Sequence, residues 1–271
     1  MTKINRAAYC FLATIITCIS ASAQKLPAVQ QISVKPPNNL KIDGKTTEWD
    51  NKFQAFNNGI DAFYTIANDN NNLYLVVKTL DEVTAKKMFG AGIVLSITPE
   101  KNKFEAGGGV GLLVTESARL AISDNYREFK EYAGKKVKNK QEDSLLAVIN
   151  KDLTNGSKEI TVSGIPGIDN TISVYNDLGI KSAMLFDDSG ALNWELAVPL
   201  KYLKNAMNNK PNFFYNLMIK GMNSNGKKVT SRFTGETVTV SSVPRSMISG
   251  SLDRELIMNP TDFWGEYKLT K

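Results

Sequence analysis

The chain has 271 residues, with 33 Lys and Arg against 27 Asp and Glu, a formal charge of +6 and no histidine. Its two cysteines, Cys10 and Cys18, both lie near the start. Beyond that start there is neither His nor Cys. This excludes Ser-His-Asp and Cys-His catalysis, His-based zinc sites, His-ligated haem and Cys-held clusters, and leaves stability to a hydrophobic core.

Residues 1–23 have the three parts of a secretory signal: Lys3 and Arg6, the apolar run "AAYCFLATIITCI", and the small-residue exit Ala21-Ser22-Ala23. The apolar run is shorter than the roughly 20 residues that span a bilayer, so cleavage after Ala23 is expected, with export to the periplasm or beyond. Thr17 precedes Cys18, where lipidation sites usually have Gly, Ala or Ser, which argues against a lipoprotein. Two of the positive charges leave with the signal. The densest basic run, "KKVKNK" at 135–140, lacks interleaved stacking aromatics and reads as a solvated face, not a nucleic-acid site.

Residues 24–39, rich in Pro and Asn, read as a linker or an irregular first strand. "LKIDGKTTEWD" (40–50) predicts a short strand, a turn at Asp43-Gly44 and then Trp49; glycine tolerates the positive φ such turns need. "AFYTIAN" and "LYLVVKT" alternate or run apolar and predict two strands. Between them, Asn68 and Asp69 open an Asn-rich cluster. Asn and Asp bond their own backbone in turns, so a hairpin bend is expected here. A calcium site would want more carboxylates than Asp69, although the Asn/Asp loops leave room for calcium elsewhere.

"GIVLSITPE" and "GVGLLVTESA" continue the strand pattern, and Gly107–Gly109 between them reads as flexible linkage: no Lys-Ser or Lys-Thr pair follows to make a phosphate loop. A helical excursion is expected within 117–148, with Tyr126, Phe129 and Tyr132 on one face. "KEITVSG", "TISVYND", "IKSAMLFDD" and "LNWELAVPL" predict strands. A short helix follows Pro199, and then come strands at "FFYNLMIKGMN", "KKVTSRFT" and "DFWGEYKL". Strands do not alternate with helices, so the expected fold is all-β: one antiparallel β-sandwich over 40–271, with a short helical insertion near 100–160.

"LKIDGKTTEWD", "IANDNNNLYLVVKTLDE" and "LNWELAVPLKYL" occur in the order and spacing of domains similar to family 9 carbohydrate-binding modules, within the wider group of DOMON-like β-sandwiches of exported bacterial proteins. With "DFWGEYKL" as a closing strand, the resemblance covers most of the mature chain; the stretch from about 100 to 160 departs from it. Asp43, Gly44, Trp49, Asn68, Asp69, Trp194 and Glu195 are its scaffold positions. The resemblance implies a non-catalytic domain that holds a carbohydrate with aromatic platforms beside polar side chains. It implies no haem here, since the chain has no His.

Aromatics outside those motifs supply the candidate ligand residues Tyr126, Tyr132 and Trp264, since sugars stack apolar faces on rings and bond through hydroxyls. Two other classes stay open. One is a scaffold or interaction domain without a sugar site; the other is a glycan hydrolase built on Glu195 with Asp187 or Asp188, which needs two carboxylates roughly 5–10 Å apart. Ser123–Asn125 and Ser224–Lys227 resemble penicillin-recognising motifs only in reversed order and without the third motif.

Overall fold

The computed structural model describes residues 25–133, 140–222, 229–230, 237–238 and 251–270. The expected signal over 1–23, most of the 135–140 basic run and Ser224–Lys227 lie outside them. The fold is mostly β. A five-stranded antiparallel sheet has the order β1 (Ala55–Asn57), β2 (Ala62–Asn68), β3 (Asn72–Thr79), β9 (Leu192–Pro199), β8 (Lys181–Phe186). A six-stranded antiparallel sheet has the order β13 (Thr261–Lys268), β10 (Asn212–Ile219), β4 (Ile93–Thr98), β5 (Gly108–Leu113), β6 (Glu159–Ser163), β7 (Thr171–Ser173). β11 (Val229–Thr230) and β12 (Thr237–Val238) pair with each other.

Period-2 alternation gives each strand one core face. Tyr64, Ile66, Leu73, Leu75, Trp194 and Leu196 of the first sheet share a single buried cluster with Ile93, Leu95, Tyr215 and Leu217 of the second. The hydroxyls of Tyr64 and Tyr215 meet at 2.8 Å inside it. Two buried phenols thereby satisfy each other instead of leaving orphaned polar atoms.

The Asn/Asp cluster is a hairpin bend. Asp69 Oδ1 accepts from the amides of Asn71 and Asn72 and its Oδ2 from Tyr74. Asn68, fully buried, binds both the amide and the carbonyl of Thr270, fastening the hairpin to the C-terminus.

Several expectations are corrected. Of the two readings of 24–39, a linker or an irregular first strand, the stretch from Lys25 onward is closer to the second. Gln30 is buried with its side-chain amide on both backbone groups of Ile66, and Val34 bridges Ala67. Residues 40–42 form no strand, because the chain there is part of an arm lying on β2, β3 and β9.

Gly108 and Gly109 are not linkage but the start of β5 in the larger sheet. A Cβ on Gly109 would meet Ser163 Oγ at 2.7 Å and Ser96 Oγ at 3.1 Å, so neighbouring side chains occupy the space glycine leaves. The 100–160 stretch is therefore not an insertion as a whole, since it contributes β5 and the start of β6. Its helical part is also longer than expected. α2 (Glu116–Ala133) and α3 (Lys140–Gly156) have 18 and 17 residues, and Ile122, Tyr126, Phe129, Leu146, Ile149 and Leu153 pack into the common core.

Two further helices were not read from the sequence. α1 (Glu82–Ala91) is capped by Asp81, whose carboxylate accepts from Thr84 N at 2.7 Å, and α5 (Ser251–Met258) precedes β13. α4 (Leu200–Leu203) follows Pro199 as expected.

Candidate functional site: a groove across the five-stranded sheet

The arm comprising residues 25–53 lies on the face of the five-stranded sheet that points away from the shared core. Trp49, Phe53, Ala67 and Val76 form a second buried cluster there, with Leu26, Val34, Leu40, Phe63 and Tyr74 around it. Glu195 fastens the arm. It is fully buried; Oε2 accepts from the amides of Asp43 (3.1 Å) and Gly44 (2.9 Å), and Oε1 from Trp49 Nε1 (2.9 Å). Gly44 has φ 84° and its Cβ position is 3.0 Å from Leu185, so only glycine fits this bend. Burial pushes the Glu195 carboxyl up to about 7, against the pull of its three N–H donors. Trp194, the preceding residue, faces the core and donates to Ser182 Oγ.

The arm leaves one row of the sheet partly accessible: Phe56, Phe63, Lys78 and Leu185 are half-buried, and Asn193 between them is fully buried. Register aligns Phe56, Phe63, Lys78, Asn193 and Leu185 across all five strands. At the usual strand spacing the row is about 19 Å long. Two adjoining clefts lie along it, and both are within the size range of small-ligand sites. One, of about 480 Å³, is lined by Leu26, Lys52, Phe53 and Phe63; the other, of about 510 Å³, by Thr46, Thr47, Asn150, Asp187, Asp188 and Ser189 among others. Asn51 and Lys78 line both. Phe63 contacts Phe53 and Phe56 with ring centroids at 5.6 and 4.6 Å.

Local turns position the polar side chains. Asp50 and Asn51 both take φ 51°, which Asp and Asn tolerate, and Asn51 Oδ1 accepts from Lys78 Nζ at 3.1 Å. The β8–β9 hairpin closes between Asp187 and Ala191, with Gly190 at φ 76°. It holds Asp187 Oδ2 at 2.8 Å from Lys78 Nζ. Burial raises the Asp187 carboxyl, but bonds from Lys78, Ser189 and Asn193 outweigh it and hold the group below the ordinary range.

The candidate residues read from the sequence fall elsewhere. Tyr126 cannot present a ring to a ligand in this structure: it is buried, stacked on Phe186 at 5.0 Å and edge-on to Phe89. Tyr132 is half-buried on α2. Trp264 is half-buried on β13 against Phe104 at 4.8 Å, on the other sheet. None of the three lines either cleft. Of the carboxylates considered for hydrolysis, Asp187 and Asp188 line the polar cleft, while Glu195 is sealed behind Gly44. Ser123 sits in α2 and donates to Arg119 O. Among the described residues there is no group of three or more acidic side chains placed to hold a metal, and no helix long and apolar enough to cross a membrane.

The cleft aromatics Phe53 and Phe63, and Phe56 packed behind Phe63, were missed. The available signal was the side-chain period of two in β2 and β3, which puts Phe63 and Lys78 on the face opposite Tyr64 and Val77. Comparison with known proteins returns no match to any family model, curated protein or solved structure.

Proposed function

We propose that the protein is an exported, non-catalytic carbohydrate-binding β-sandwich of the kind its three motifs resemble, related to family 9 carbohydrate-binding modules and DOMON-like domains, and that its glycan site is this groove. The observation that carries the reading is the pairing of an aromatic cleft with a polar one along a single cross-strand row, sharing Lys78 and Asn51. A pyranose has apolar C–H faces ringed by hydroxyls. Phe63 and Phe53 suit the faces; Lys78, Asn51, Asn150 and Ser189 suit the hydroxyls. Glu195 supports a scaffold role rather than chemistry, because both of its oxygens hold the arm in place.

The test is a glycan-array screen of the exported protein followed by titration calorimetry on Phe63→Ala and Lys78→Ala. Binding that disappears in both variants while their melting stays close to wild type supports the site. A screen with no bound glycan overturns the reading and leaves the scaffold role. Export is tested by intact mass: a chain beginning at Gln24 supports it, and a lipid-modified Cys18 overturns cleavage after Ala23.

A further inference from the structure

Both clefts lie at a seam, with the five-stranded sheet on one side and residues 43–53 on the other. That segment supplies Thr46 and Thr47 to the polar cleft, Lys52 and Phe53 to the aromatic one, and Asn51 to both; Phe63, Lys78 and Asp187 stand opposite. It contains neither helix nor strand, and it turns through left-handed backbone at Gly44, Asp50 and Asn51. Among the described residues, its hydrogen bonds to the sheet go to two side chains, Glu195 and Lys78. Its other bonds close on itself: Lys45 on Asp43, Asp50 on Thr47, Lys52 on Trp49. The earlier part of the arm is held differently. Pro27 and Val34 accept from the backbone amides of Phe56 and Asn68, and Gln30 bonds both backbone groups of Ile66. Residues 25–34 are thus stitched to the sheet through its backbone. Residues 43–53 instead hang between Asn39, at φ 58°, and Gln54, whose amide is bonded to Tyr64 O.

We propose that residues 43–53 are a flap forming the movable wall of the groove, that Glu195 is its latch, and that a proton on Glu195 favours the closed position. Shut, the flap seals the carboxyl from water; opened, it returns the group to solvent. Burial raises the Glu195 carboxyl to about 7 against the pull of Trp49, Gly44 and Asp43, so the proton is held more tightly shut than open. The closed flap is therefore favoured most at low pH and loses ground as pH rises from about 4.5 towards about 7. The charged and titratable groups on the elements around the latch are Lys41, Asp43, Lys45, Glu48, Asp50 and Lys52 on the arm, Tyr74 and Lys78 on β3, Lys181 on β8, and Asp187 and Asp188 in the β8–β9 turn. Of these, Asp43 adds its charge to the upward push, and Lys78 is taken by Asp187. An occupant touching both walls would in turn hold the flap shut, since linkage is reciprocal. The inference goes beyond the glycan reading, because it concerns the wall of the groove whatever the groove binds.

The experiment is hydrogen exchange read by mass spectrometry on the exported protein without added sugar, from about pH 5 to about pH 8, corrected for the intrinsic pH dependence of exchange. Peptides over 43–53 are expected to open without the sheet, about tenfold more often than those over β3 or better. Their opening should become about tenfold more frequent per pH unit up to about 7 and then level off. Glu195→Gln should remove that slope and open more often than wild type at about pH 5, because its amide must face a donor. Asn51→Gly keeps the left-handed backbone and loses the bond to Lys78, so it should raise opening about fivefold at every pH with the slope intact. That variant and wild type carry the test if Glu195→Gln does not fold. Exchange of 43–53 in step with β3 at every pH overturns the flap. A flat wild-type profile, a slope that survives in Glu195→Gln, or one lost in Asn51→Gly overturns the latch. None of these outcomes depends on a bound glycan, so the two readings fail separately.

Discussion

Two groups of aromatic side chains in this protein had opposite fates. Tyr126 and Phe129, three residues apart on α2, form a stripe that the structure turns inward against Phe89 and Phe186. Phe56 and Phe63, on neighbouring strands, stay half-buried along a partly accessible row. The helix stripe is conspicuous in sequence because 3.6-residue periodicity collects it within one turn. That same periodicity is how a helix buries one face. The sheet row is inconspicuous, because its members are distant in sequence and aligned only by register. Here the conspicuous pattern marks packing, and the one that depends on register lines the candidate site.

The largest effects should come from disturbing the packed group. Tyr126→Ala is expected to destabilise the fold by about 3–5 kcal/mol, as loss of a large buried aromatic does. Trp194→Ala and Trp49→Ala should fall in the same range, read by denaturant unfolding. Wild-type unfolding of Tyr126→Ala would return the α2 stripe to the binding surface and break the comparison.

Next in size is the clasp that leaves the row partly open. The Glu195 carboxyl ionises near 7 in the folded chain against a reference of 4.5, so the native state binds the proton more tightly across that window. A raised folded pKa on an acid contributes stability that is full below about 4.5 and lost as pH rises towards about 7, by about 3 kcal/mol in all. Unfolding midpoints measured across pH should show that decline in wild type, and Glu195→Gln should abolish it. Glu195→Gln should also be less stable at low pH, because its amide N–H₂ group must face the Trp49 or Gly44 donors. A flat wild-type profile would mean that the clasp is held as a carboxylate throughout.

Smaller in stability, but decisive for function, is the row itself. Phe63→Ala should cost about 1 kcal/mol, as partial burial implies, yet reduce glycan affinity at least tenfold by calorimetry. The smallest expected effect on binding belongs to Trp264→Ala. Its ring rests on Phe104 on the other sheet, so glycan affinity should not change. Loss of affinity there would move the site to the six-stranded sheet.

Much of the strand grammar was legible. β2, β3, β8, β9 and β10 sit where alternation and β-branched residues put them, and the Asn68–Asn72 cluster bends because Asp69 serves the turn amides. α1 was not read, although Asp81 with Ala85, Met88 and Phe89 was an available cap and stripe. Gly109 was read as slack, because its neighbours across the sheet, Ser96 and Ser163, lie 13 and 54 residues away along the chain; in space they fill the position a side chain would need.

By itself, the sequence determined the two-faced strands, the bends at Gly44 and Asp69, and the exclusion of His chemistry. Those properties are local: they follow from side-chain alternation, from backbone conformations few residues tolerate, and from composition. Only the tertiary structure decided which outward face is covered and which row remains partly open. Alternation shows that Phe63, Lys78 and Asn193 point away from the core, but not that the arm stops short of them. That boundary is set where Glu195 grips Trp49, Asp43 and Gly44 across some 150 residues of chain, a contact whose partners are brought together only when the sheet has formed.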